Sequence, residues 1–166
     1  MRTAFLSVLL ATVALGQDEY RVYTEHPRLF LTPQRLRLLK RERDRESMRW
    51  RQFDLLVRAA AQMREPGFAL ALHYAVSGDT AIGKRAVDWA LGPGADLRQL
   101  ALIYDWCQPL LSSTQSKSLE TKLSRLAAQK TGTELPAARD RMLAVIAAAD
   151  DSHAEENPLR DRKSVV

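Results

Sequence analysis

Cysteine is nearly absent: Cys107 is the only one in 166 residues. A lone cysteine excludes an internal disulfide, so stability has to come from an apolar core. Cys107 itself reads as a small buried residue within its helix, with an intermolecular bridge as the alternative. Histidine is almost as scarce. His26, His73 and His153 stand far apart, without the short spacings of a metal site, so no metal is expected, and no cofactor either. Asparagine occurs once, as Asn157 in a polar tail. Past residue 16 no segment is long and apolar enough to span a bilayer. Sustained period-two alternation is missing too, so a sheet is excluded, and residues 20–32 supply at most one extended strand.

What is present is the balance of a soluble globular chain, 46% hydrophobic and 27% charged. Residues 1–16, "MRTAFLSVLLATVALG", place Arg2 ahead of an apolar run and end in small residues. This is the pattern of a secretory signal peptide cleaved between Gly16 and Gln17. The protein is therefore expected to be exported, periplasmic or secreted, with no membrane attachment after cleavage. Cleavage removes Arg2 alone among the charged residues, so 25 basic residues become 24 against 20 acidic ones. The excess is concentrated in residues 34–51, "QRLRLLKRERDRESMRWR". Such a face attracts an acidic polysaccharide, or is simply a solvated helix face laced with pairs such as Glu42 to Arg45. Nucleic acid is not expected, because no aromatic residue is interleaved with these cations before Trp50.

The mature chain reads as an extended lead over residues 17–32, a helical domain over 33–150 and a polar tail over 151–166. Thr32 caps and Pro33 opens a long helix with apolar positions Leu36, Leu39, Trp50, Phe53, Leu56, Val57 and Ala60, stopping near Pro66-Gly67. "FALALHYAVSGD" is a short apolar helix ended by Ser77-Gly78. Asp79 caps the next, whose inner face is Ile82, Ala86, Trp89 and Ala90. Residues 95–111 form a helix that is apolar on both sides, hence buried between layers. Ser112 and Gln115 fit a capping box, which starts a helix bearing Leu119, Leu123, Leu126 and Ala127, antiparallel to the one before. Pro136 opens the last helix, with Met142, Leu143, Ile146 and Ala147 inward. The fold class is all-α, built from antiparallel helical hairpins. No repeat of fixed length is recognisable, and a tetratricopeptide-type solenoid is the alternative.

Tyr104, Asp105 and Trp106 are the candidate groove residues. Consecutive helical side chains diverge by about 100°, so the three cannot meet at one reacting atom. Trp106 suits a sugar-stacking platform, and Tyr104 or Asp105 a hydrogen-bond partner. The structural reading makes them wall, with Tyr104 and Trp106 packed between layers and Asp105 bonding a neighbouring loop or helix N-terminus. His73 reads as a satisfied core histidine, His26 as part of a lead packed across the helices, and Asp150-Asp151 as a solvated helix end. No catalytic residue is assigned.

Two stretches carry a resemblance. "HPRLFLTPQRLRLLKRE", residues 26–42, resembles the mature opening of heparinase II/III-like and alginate-lyase-type polysaccharide lyases. "LALIYDWCQPLLSSTQ", residues 100–115, is similar to a helix-turn-helix of the same proteins, matched at Ala101, Tyr104, Asp105, Trp106, Leu111 and Ser112. The resemblance covers most of residues 26–130. It implies an incomplete α/α toroid, of which this chain is the N-terminal portion, and β-elimination on uronic-acid polysaccharides by the full-length family. The family's neutralising Asn and abstracting His come after the Tyr-Asp-Trp helix. No matching segment follows Ser112, so the resemblance implies fold and ancestry without activity of this polypeptide. A helical module binding acidic polymer or protein is the alternative. "DRKSVV", residues 161–166, is encodable by GATCGGAAGAGCGTCGTG, which resembles the start of a sequencing adapter. Those six residues are expected to be an artefact.

Overall fold

The computed structural model describes residues 25–149. The signal peptide with its Gly16/Gln17 junction, the first part of the lead, Asp150-Asp151 and the tail with its last six residues lie outside the described residues. Within them the chain is all-α: α1 (Pro33–Asp44), α2 (Met48–Arg58), α3 (Pro66–Ser77), α4 (Thr80–Leu91), α5 (Leu97–Trp106), α6 (Ser113–Gln129) and α7 (Leu135–Ala147). A 3-10 turn, Gln108–Leu110, joins α5 to α6. No strand occurs among the described residues, so residues 25–32 form a bent lead rather than a strand. No helix among them is long and apolar enough to cross a membrane.

Capping decides most of the boundaries. Thr32 Oγ1 accepts the Arg35 N–H at 3.3 Å and Pro33 fills the first turn of α1. Asp79 accepts the Ala81 and Ile82 N–H groups ahead of α4. Ser112 and Gln115 close a reciprocal capping box at α6. Gly78, at φ 76°, ends α3 in the left-handed conformation that glycine adopts without steric cost.

The single long helix expected over residues 33–66 is instead two. The Glu46 N–H bonds to Arg43 O and the Ser47 N–H to Glu42 O, with Glu46 at φ 46°. This is a Schellman closure of α1. Ser47 then caps α2 by accepting the Trp50 N–H at 3.2 Å. The same closure ends α2: Ala60, at φ 52°, bonds back to Val57 O, and the Ala61 N–H bonds to Leu56 O. Ala60 is thus the stop rather than a helical apolar position, and Pro66 opens α3. The helix expected to reach residue 111 ends at Trp106, because Pro109 has no N–H to give and its ring clashes with the preceding turn.

α5 is the centre of the core. Every residue from Gln99 to Cys107 is buried, as its two-sided apolar pattern requires. α3 packs on α4 and α5, α1 on α3, and α6 and α7 on α5. α2 contacts α1 and α3 at one end of this stack, and α7 contacts α5 and α6 at the other. Both end helices leave apolar side chains open: Met48, Leu55 and Leu56 on α2, and Leu135, Met142, Val145 and Ile146 on α7. The inward set of α7 is Ala137, Leu143, Ala144 and Ala147 with Asp140, so the expected Met142 and Ile146 face outward. Gly67 lies so near the Trp89 ring that a Cβ there would come within 2.6 Å of it.

Candidate functional site

The two stretches that carry the resemblance meet in space. Asp105, with no solvent exposure, accepts hydrogen bonds from three groups of the lead. They are the Arg28 N–H at 2.9 and 3.0 Å, the Leu29 N–H at 2.8 Å, and His26 Nδ1 at 2.5 Å. Next to it the Trp106 indole N–H donates to Leu29 O at 2.9 Å. Leu29, within this clamp, and Leu31 beside it are buried in the apolar core. The His26–Pro27 peptide is cis. α5 supplies both clamp residues because positions 105 and 106 lie in its last turn, where the lead crosses. Asp105 therefore bonds a neighbouring loop, and His26 belongs to a lead packed across the helices.

Tyr104 points elsewhere, toward α6. Its hydroxyl donates to Glu120 Oε1 at 2.6 Å and lies 3.1 Å from Ser116 Oγ. Burial and the adjoining Glu120 carboxylate push its pKa up, so the hydroxyl keeps its proton at neutral pH. Its ring meets His26 edge-on at 6.2 Å. The triplet thus sends its members to different partners. Tyr104 and Trp106 are nearly, and Asp105 completely, buried.

His73, read from the sequence as a satisfied core histidine, is buried at the centre of a second, part-buried network. Its Nε2 contacts Asp54 Oδ1 at 2.7 Å, its Nδ1 contacts Ser77 Oγ at 3.2 Å, and its ring stacks on Trp50 at 5.2 Å. Burial acts to raise the pKa of Asp54, but hydrogen bonds from His73 and Arg58 outweigh it and hold the carboxyl below the usual range. Both ring nitrogens are satisfied, which is the structure of a core histidine. Cys107 is buried as expected, and burial pushes its thiol up to about 12. Among the described residues no group of three His, Cys, Asp or Glu side chains could hold a metal ion.

Many of the cations serve the helices themselves. Arg85 donates to Val57 O at the end of α2, and Arg43 to Val76 O and Ser77 O at the end of α3. Lys122 donates to Ala90 O and Gly92 O after α4, Arg141 to Lys130 O and Gly132 O after α6, and Arg28 to Ala149 O after α7. Each places positive charge at the negative end of a helix dipole and satisfies carbonyls that have no helical partner. In the basic stretch, Arg35 is taken by Phe30 O and Arg51 by Glu46. Arg37, Lys40, Arg41, Arg45 and Arg49 are exposed. Arg37, Arg41 and Arg45 recur every fourth residue, which spaces them by roughly 6 Å along one side of α1 and its C-cap.

Comparison with family models, with curated proteins and with solved structures found no match to the chain.

Proposed function

We propose that this chain is the helical, substrate-holding portion of an exported polysaccharide-lyase-like protein. It is the N-terminal part of an incomplete α/α toroid that engages a uronic-acid polysaccharide. The observation that supports this reading is the clamp between residues 26–29 and Asp105 with Trp106, since the two stretches that resemble the lyases form one structural unit. In this reading Tyr104, Asp105 and Trp106, all buried, brace the lead and α6 from inside the wall rather than touching sugar, and the proton transfers of β-elimination fall to groups outside this chain. A second reading, a helical module for acidic polymer, is favoured by the row of Arg37, Arg41 and Arg45 on the outside of α1.

Two measurements test these readings. The purified chain is mixed with alginate, heparin and chondroitin sulfate. Both readings expect salt-sensitive binding without accumulation of unsaturated product, and no binding to any of the three sinks both. The genomic locus is then read beyond the codon for Arg160. A frame running on into further helices and a β-rich region supports the lyase, whereas a stop after Val166 leaves the binding module.

A further inference from the structure

The break between α1 and α2 opens a cavity of about 240 Å³ where these helices meet α3. Its lining is mostly apolar, with Leu39, Phe53, Leu72 and Trp50 among the wall residues. The Trp50 ring is held by stacking on His73 at 5.2 Å and by an edge contact with Phe53 at 5.9 Å. Glu42 and Arg49 lie at the same cavity, exposed, and neither makes an ion pair among the described residues. This volume is below the roughly 300 Å³ at which drug-sized pockets begin, so it takes one ring rather than a length of polymer.

We propose that this cavity is a binding subsite for a single hexuronate residue of an acidic polysaccharide. A pyranose ring has an apolar C–H face, which suits a preformed aromatic wall of Trp50 and Phe53. Its carboxylate meets the Arg49 guanidinium in a charge-assisted contact, and its hydroxyls donate to the Glu42 carboxylate. A neutral sugar would leave Arg49 without its partner. The inference rests on the reading that the chain holds uronic-acid polysaccharide.

The test titrates the purified full chain with an unsulfated oligomannuronate and with a neutral manno-oligosaccharide of the same length. Tryptophan fluorescence and calorimetry report binding. The expected result is saturable binding of the oligouronate and at least tenfold weaker binding of the neutral oligomer. Arg49→Ala weakens oligouronate binding by about tenfold, the size of one charge-assisted hydrogen bond. Trp50→Phe weakens it and removes the fluorescence change, while Lys117→Ala on α6 leaves it within about twofold. Arg49 is exposed and unpaired, so its loss tests the site without unfolding the chain. Oligouronate binding that Arg49→Ala and Trp50→Phe leave unchanged overturns the subsite while the broader reading stands. Equal binding of the neutral oligomer overturns the hexuronate assignment. No binding of oligouronate or alginate overturns both.

Discussion

Replacing Asp105 by Asn tests whether the clamp on the lead is a principal structural joint. The carboxylate accepts from the Arg28 and Leu29 N–H groups and from His26 Nδ1. Asparagine keeps one acceptor oxygen. If that oxygen stays toward His26 and Arg28, its NH2 group faces the Leu29 N–H across 2.8 Å, donor against donor. The unsatisfied buried N–H costs about 1–3 kcal/mol, and the two remaining bonds lose their charge assistance. The sum is about 3–5 kcal/mol, against about 5–15 kcal/mol for the whole stability of a domain. Urea denaturation followed by tryptophan fluorescence should show the unfolding free energy lowered by that amount, seen as a lower midpoint at unchanged m-value. Amide exchange at Arg28 and Leu29 should accelerate more than exchange in the middle of α5, because the lead peels away before the helices separate. His26→Ala combined with Asp105→Asn should cost less than the two changes added, since both act on the same His26–Asp105 bond, one weakening it and the other removing it. A loss under about 1 kcal/mol for Asp105→Asn, with Arg28 and Leu29 exchange unaltered, would refute the reasoning.

Three further outcomes follow from the same structure. Cys107, buried with its thiol pushed up to about 12, should resist an aromatic disulfide reagent at pH 8 in the native protein and react at once in urea; rapid native reaction contradicts its burial. Asp54, Asp79 and Asp140 all have folded-state pKa values held below the unfolded 3.8, so their stabilisation is fully present above 3.8 and is lost as pH falls from there through their lower folded values. Urea midpoints should therefore drop below about pH 4, and Asp140→Asn should flatten the drop; a profile unchanged by that substitution counts against the Lys130 and Arg139 pairs. The open face of α7, with Leu135 86%, Met142 62% and Val145 66% exposed, should drive concentration-dependent association visible in sedimentation. Met142→Lys with Val145→Lys should abolish it while leaving the unfolding midpoint nearly unchanged, and a wild type that stays monomeric at high concentration dismisses the idea.

The helices were legible wherever a cap or a two-sided apolar pattern announced them. Asp79, Ser112 with Gln115, and the buried span around α5 are such places. The break at residues 45–47 was not. Glycine is the residue that usually marks a Schellman closure, and here Glu46 and Ala60 adopt the left-handed conformation instead. Pro66-Gly67 misled in the opposite sense. Proline suits the first turn of α3, and Gly67 is small because Trp89 lies against it. Met142 and Ile146 fit a helical apolar stripe, but periodicity does not say which of two apolar faces finds a neighbour. For Asp105 the helical spacing pointed to the class of partner, a loop or a helix end. That the loop is the other resembling stretch depends on a contact between residues more than seventy apart.

The cations show why charge in a sequence is a poor guide to a ligand until the helix ends are accounted for. Arg28, Arg43, Arg85, Lys122 and Arg141 each reach from one element to the C-terminal carbonyls of another. A basic count read as a polyanion surface therefore includes groups already held by the fold. Removing one of them would expose a helix end rather than weaken a binding site. Within the basic stretch, the exposed cations without a partner among the described residues are fewer: Arg37, Lys40, Arg41 and Arg45 on α1 and its C-cap, with Arg49 beyond the turn. The same Schellman closure that interrupts the helix places Arg49 beside Trp50, Phe53 and the cavity rather than farther along a straight rod. The break is thus what brings an uncommitted cation and an aromatic wall to one place, and that placement, more than net charge, is the physical basis for expecting an acidic sugar there.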